Sequence, residues 1–245
     1  MHQYNILRID RKQHVIFDPE DVFKITKVHR IRINEEIYVL WNNKKYLAVI
    51  RSIAPLRAEV LRQIQANERR YSLDVYLGSL KPKPFEDAVN KLVQLNVYQI
   101  HQLILDRTYD EHQIRTERIQ KITNEATSQS KRYDQVLYYP NIPFNKMLSQ
   151  LHQYDAVFVA NEKNEEVYLY DLKIRWSFVK NVAIIIGGEG GFTGDEITRL
   201  KANRNVYMIK LTPTILRAET AAVYLTSVLD QFLNYQRRED ETKVN

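Results

Sequence analysis

The 245-residue chain contains no cysteine. That excludes disulfides, thiolate-ligated zinc and a cysteine nucleophile, and it fits a reducing compartment, so the expected location is cytoplasmic. Nor is there a hydrophobic run near the ~20 residues of a membrane-spanning helix; the longest are as short as residues 182–186. The opening Met1-His2-Gln3-Tyr4-Asn5 lacks the charged-then-apolar pattern of a signal peptide. Neither a membrane nor a metal is expected as a partner. Glycine is scarce, at six residues, which makes its placement informative. The hydrophobic fraction is 44%, enough for a packed core and too high for a disordered chain.

Acidic residues are under-represented only at one end. Residues 1–70 carry 14 Lys or Arg against 8 Asp or Glu, whereas residues 71–245 carry 22 of each. The whole net charge of +6 therefore lies in the first 70 residues. A polyanion is the natural partner of such a segment, because neutralising phosphates releases condensed counterions. Lys24, Lys27, Arg30 and Arg32 are its densest basic group.

The pattern of the chain divides near residue 70. Before it, short apolar or alternating runs at 6–9, 14–17, 36–40 and 46–53 read as strands, with one short helix over 21–28. Asn42-Asn43 between two such runs reads as a hairpin turn. A small β-barrel over residues 1–70 is the expectation. After it, strand-like runs at 72–80, 99–105, 156–160, 182–186 and 206–211 alternate with helical spacing at 86–97, 117–130 and 218–236. This alternation predicts an α/β domain over residues 71–245 with a largely parallel sheet.

Five of the six glycines fall within eight residues: Gly187, Gly188, Gly190, Gly191 and Gly194. They follow the strand at 182–186, and Thr193-Gly194-Asp195-Glu196 then opens a helix. Glycine admits positive φ and lets backbone N–H groups approach a ligand closely. In open α/β sheets, ligands bind at the carboxyl ends of strands, where this loop lies. No Gly-Lys-Ser/Thr follows it, so it is no Walker A loop. Glu189 in its middle disfavours a polyphosphate and favours an amine or a hydroxyl-bearing ligand. A second loop, residues 211–221, follows the next strand. Pro213 stiffens it, and Arg217 and Glu219 stand where the last helix begins.

At these residues the chain resembles a known family. Ile186-Gly-Gly-Glu-Gly-Gly-Phe192 resembles the Ile-Gly-Pro-Glu-Gly-Gly-Phe signature of the RsmE-type 16S ribosomal RNA uridine-N3 methyltransferases. Residues 211–221 resemble their Leu-Gly-x-x-Ile-Leu-Arg-x-Glu-Thr-Ala segment. Residues 91–97 are similar to Lys-x-x-Glu-Leu-Gly-Val, and residues 125–132 match Glu-Ala-x-x-Gln-Ser-x-Arg. Val28-His29-Arg30 followed by Glu36-Ile37 is a weaker echo of the family's barrel. The departures are Gly188 for proline, Thr212 for glycine, Gln94 and Asn96 for Glu and Gly, and Asn34 for a turn glycine. Asparagine at a helix C-terminus tolerates the left-handed conformation, so the change at Asn96 is mild.

The resemblance implies a SPOUT-type α/β domain ending in a trefoil knot, preceded by a PUA-like β-barrel, in a homodimer. It implies S-adenosyl-L-methionine as cofactor, held by Ala160, Gly187, Gly188, Glu189, Gly190, Gly191, Leu211, Ile215 and Leu216. The implied substrate is a uridine of 16S rRNA in the decoding region near the 3′ end, met within the 30S subunit. Arg217 would stabilise negative charge on a uracil oxygen. Glu219 or Glu189 would orient Arg217 or accept the N3 proton; the sequence leaves both open. Lys24, Lys27, Arg30, Arg32, Lys91, Glu125, Gln129 and Arg132 are the RNA-binding candidates. A SPOUT enzyme acting on another RNA position and a non-catalytic RNA-binding assembly factor remain the alternatives.

Overall fold

The first strands are short because turn residues interrupt them every few positions. In the computed structural model, which describes residues 1–65, 69–108, 114–161 and 167–243, they are β1 (Gln3–Asn5), β2 (Arg8–Ile9) and β3 (Val15–Ile16). Helix α1 (Pro19–Phe23) runs on into a π-helical turn, Lys24–Val28, and β4 (Glu36–Trp41), β5 (Lys44–Ile53) and β6 (Leu56–Ile64) follow. These make a four-stranded sheet in the order β1-β4-β5-β6, with β1 parallel to β4 and the rest antiparallel. A β2–β3 ribbon joins it through a bridge between His14 and Glu59. The expected hairpin turns on Asn42 and Asn43, at φ 48° and 55°. Positive φ at both positions is what a type I′ turn requires, whose twist matches that of the flanking strands. Asp18 caps α1 by accepting from the N–H groups of Glu20 and Asp21, with Pro19 in the first turn. Tyr4, Val15, Ile25, Ile37, Val39 and Ile50 close over one another as the core of this unit.

The second unit alternates strand and helix as its sequence predicts. Its elements are β7 (Ser72–Gly78), α2 (Pro82–Gln94), β8 (Gln99–Ile104), α3 (Thr116–Gln129), β9 (Leu137–Pro143), α4 (Phe144–Gln150), β10 (Ala156–Ala160), β11 (Asn181–Ile186), α5 (Gly194–Lys201), β12 (Val206–Ile209) and α6 (Ala218–Lys243). Every neighbouring pair in the order β12-β10-β11-β7-β8-β9 is parallel. A parallel sheet is covered on both faces, which is why Val182, Ala183, Ile184, Ile185 and Ile186 form an unbroken buried run. Helix α6 packs on α2, β7 and β11. It is tied down where Tyr71 donates to Asp230 and Asn234 donates to the Tyr71 hydroxyl at 3.1 Å. Asn96, which stands in place of glycine just past α2, has φ 66°. No helix among the described residues is long and apolar enough to cross a membrane.

Two compact units emerge, residues 1–68 with 124–135 and residues 69–123 with 136–245. Residues 124–135 thus leave the domain to which the sequence pattern assigns them. Gln3 donates to the carbonyls of Thr127 and Arg132, and Asn5 donates to the carbonyl of Asn124. Lys45 donates to the carbonyl of Lys131 at 3.0 Å, its ammonium lying over the rings of Tyr38 and Tyr133.

Candidate active site at the carboxyl ends of the parallel strands

Strand order decides where this sheet can hold a ligand. β7, β8 and β9 advance to one edge, whereas β11, β10 and β12 extend the sheet from the other side of β7. The loops after β7, β8, β10, β11 and β12 leave from the same end. They border a crevice of about 970 Å³, near the upper end of the ~300–1,000 Å³ of small-molecule sites. Topological reversals of this kind are where parallel sheets bind ligands.

The glycine loop owes its residues to close approach. A Cβ on Gly78, at the end of β7, would sit 2.2 Å from the Gly188 nitrogen. One on Gly190 would sit 2.8 Å from the Arg107 Cβ. Gly191 has φ 64° and donates its N–H to the Gly188 carbonyl at 3.0 Å, closing the turn. Thr193 caps α5 next: its hydroxyl accepts from the Glu196 N–H, and the Glu196 carboxylate accepts from the Thr193 N–H. In the second loop, the Thr212 hydroxyl donates to the Thr214 carbonyl at 2.6 Å. A side chain thus closes the turn where the resembling family has glycine.

All nine positions assigned to a cofactor line this crevice, as do Arg217 and Glu219. Ala160 ends β10. Glu189 is exposed and accepts from the Lys81 N–H at 3.3 Å. Arg217 is exposed, and its carbonyl accepts from the Ala221 N–H at 2.8 Å, so it sits at the very start of α6. Glu219 is half-buried in the first turn of that helix. Ile215 is a rim residue, 78% exposed, rather than a buried wall.

The RNA candidates divide. Lys27, Arg30 and Arg32 are exposed on the first unit. Lys24 lies against Glu125 at 3.4 Å and Glu20 at 3.6 Å, so Lys24 and Glu125 neutralise each other. Gln129 is exposed. Arg132 is 8% exposed, with its guanidinium on Asp134 at 3.2 Å, and serves as internal structure rather than as an open phosphate grip. Lys91 is exposed in the last turn of α2, outside the crevice lining.

Sequence reasoning missed Gly78, Lys81, Arg107 and Lys210, which also border the crevice or its glycine loop. The signal for Gly78 was present: it is the one glycine outside the cluster, and it ends a strand. Lys81, Arg107 and Lys210 belong to no motif. Two displaced titrations lie inside the parallel sheet. Burial pushes the Asp74 carboxyl up to about 6, against hydrogen bonds from Tyr154 and Ser72, and pushes the His101 ring down to about 4.

With that geometry in view, known proteins can be set beside it. The RNA methyltransferase domain family matches residues 67–230. The chain belongs to this family. The matched segment of this RNA methyltransferase domain includes the whole crevice lining. A ribosomal RNA small subunit methyltransferase E from Rickettsia conorii is 29% identical over 206 residues, 82% of this chain and 83% of that protein. The crystal structure of a ribosomal RNA small subunit methyltransferase E from Neisseria gonorrhoeae, bound to S-adenosyl methionine, superposes with a TM-score of 0.80 at 21% identity, over 95% of this chain and 98% of its own. A probable rRNA-methyltransferase from Porphyromonas gingivalis superposes with a TM-score of 0.83 at 19% identity, over 96% and 100%. At those identities the two structures speak for the shared fold.

Proposed function

We propose that this chain is an S-adenosylmethionine-dependent methyltransferase of small-subunit ribosomal RNA that acts on N3 of a uridine. The carrying observation is the crevice itself, bordered by both the glycine-rich loop at 187–193 and the loop at 211–217. That cradle suits a small donor with an adenine, a sulfonium and an amino-acid end: its volume is adequate, and Gly187, Gly188, Gly190 and Gly191 border it without side chains. The donor, when bound, supplies an electrophilic methyl group. Gly187 to Gly191, Ala160, Leu211 and Leu216 bind it and exclude water, with Ile215 covering the mouth.

The chain's remaining task is alignment and charge control. Uracil N3 carries a proton at neutral pH that must leave as the nitrogen attacks. Arg217 steadies the negative charge that spreads to a uracil oxygen. Glu219 or Glu189, both on the crevice, orients Arg217 or accepts that proton directly or through water. Lys27, Arg30 and Arg32 hold phosphates and position the RNA without reading its sequence. Lys91 and Gln129 are the other exposed candidates.

The same reading extends to architecture. Residues 1–70 are taken as a PUA-like barrel, supported by the four-stranded sheet and its bridged ribbon. Residues 71–245, less the segment 124–135, are taken as a SPOUT domain with a trefoil knot. Support comes from the Asn161 N–H on the Ile209 carbonyl and the Lys210 N–H on the Val167 carbonyl, after which the chain crosses from edge strand β12 to pack α6 on β7. A homodimer is supported by exposed Tyr170, Phe178 and Tyr224 on the second unit. The setting would be the cytoplasm, with the 30S particle as substrate.

Transfer of a tritiated methyl group to 30S particles and to naked 16S rRNA tests the assignment. Label is expected in N3-methyluridine, with Arg217→Ala lowering the rate at least a hundredfold. Transfer to neither substrate, or N3-methyluridine undiminished in rRNA from a deletion strain, removes it.

A further inference from the structure

The glycine loop rests on the loop after β8, a segment with no sequence motif. Residues 105–108 form a tight turn: the Thr108 N–H donates to the Leu105 carbonyl, and the Leu105 N–H donates to the Thr108 hydroxyl, both at 2.9 Å. Gly190 lies directly against Arg107, whose guanidinium donates to the Gly190 carbonyl at 3.3 Å.

Glu196 joins the two loops. It is 1% exposed, near the start of α5, and its two oxygens serve different partners. Oε2 accepts from the Thr193 N–H at 2.7 Å, the ordinary reciprocal bond of a helix cap. Oε1 accepts from the Asp106 N–H at 3.0 Å, reaching 90 residues back along the chain. One buried carboxylate thus fixes the end of the glycine loop and the turn beneath it on a rigid helix.

We propose that Glu196 is a positioning residue for the methyl donor, clamping the turn at 105–108 to the glycine loop so that backbone 187–191 is already shaped for binding. The proposal rests on reading the crevice as the cofactor site. A loop with this many glycines is free to sample many shapes. If only a fraction is competent, the apparent affinity falls by that fraction. The clamp removes that penalty before the donor arrives.

A carboxamide exposes the dependence. Gln at 196 offers one acceptor oxygen and an NH₂ group, so either Asp106 or Thr193 loses its acceptor and faces a donor. Glu196→Gln is expected to raise the Kd for S-adenosylmethionine about tenfold or more by calorimetry. Its kcat at saturating donor should stay within about twofold of the parent, because no group on the reacting atoms changes. Amide hydrogen exchange of residues 187–193 and 105–108 should quicken without donor present, while that of α6 does not.

The control is Leu92→Ala, a core truncation near the end of α2, fully buried and outside the cluster that holds Leu105 and Phe192. It should lower Tm at least as much and leave the Kd near the parent's. A parent-like Kd in Glu196→Gln overturns the proposal, as does an equal loss of affinity in Leu92→Ala. If the parent itself binds no S-adenosylmethionine, the reading of the crevice fails and the donor-positioning role falls with it; the exchange data then report only whether Glu196 orders the two loops.

Discussion

At the scale of single residues, two buried groups in the parallel sheet make opposite demands on acidity. Asp74 accepts from the Tyr154 hydroxyl at 2.9 Å, and the Tyr154 and Tyr76 hydroxyls lie 3.0 Å apart. Burial raises its pKa from 3.8 to about 6, so the folded chain holds a proton that the unfolded chain has released. Its contribution to stability is complete below pH 3.8 and lost as pH rises through about 6. His101 is stacked between Tyr76 and Tyr139, with its Nδ1 buried and unbonded, and burial lowers its pKa from 6.5 to about 4. Its contribution is complete above pH 6.5 and lost as pH falls through about 4. Each is worth on the order of 2–3 kcal/mol over its window, so the two nearly cancel. Urea unfolding of the second unit from pH 4 to 6.5 should therefore separate them. Asp74→Asn should make stability climb with pH more steeply than in the parent, and His101→Gln should make it decline. Parallel curves for both variants would show that neither group changes protonation on unfolding. Neither residue was legible in the sequence, because a polar side chain in a strand looks solvent-facing until its neighbours across the sheet are known.

At the scale of elements, the glycines make the clearest prediction. Gly78→Ala puts a methyl group where β7 meets the backbone of Gly188, which no side-chain rotation relieves. A loss of about 1–3 kcal/mol is expected, with weakened donor binding. Gly194→Ala has nothing within 4 Å of the new methyl group. As the first residue of α5 it should be neutral or stabilising by up to about 1 kcal/mol. Thermal unfolding and calorimetry on both variants check the pair; equal effects would count against close approach as the reason for Gly78. Which elements could be read beforehand follows from burial. Strands β10 and β11 have both faces covered, and their uninterrupted apolar runs were plain. Strand β6 was not expected, since Arg57, Glu59 and Arg62 make an exposed edge look like a loop. Strand β9 was hidden by Pro140 and Pro143, which an edge strand tolerates and a central one does not.

For the whole molecule, charge segregation is the property with a measurable outcome. The excess positive charge lies in the first 70 residues, where Lys27, Arg30 and Arg32 are exposed. Lys27→Gln with Arg32→Gln should weaken RNA binding and reduce the slope of log K against log salt by about 0.7–0.9 per lost phosphate contact. The Kd for S-adenosylmethionine should stay unchanged, and an unaltered RNA slope would remove these two residues from the interface. The paired signature loops were legible because glycine, arginine and glutamate carry local chemistry. The capture of residues 124–135 by Gln3, Asn5 and Lys45 was not, because bonds to partners 86 to 129 positions away leave no mark on local periodicity. Strand β7 has the same character. Its neighbour β11 is joined residue by residue from Ser72↔Asn181 to Leu77↔Ile186. During synthesis, one flank of β7 must therefore wait, bare, for more than a hundred further residues to emerge, inviting mispairing meanwhile. The two loops that border the crevice, 187–193 and 211–217, are among the last parts of this protein to come into existence, so a nascent chain halted before β11 owns the whole basic segment and neither of them.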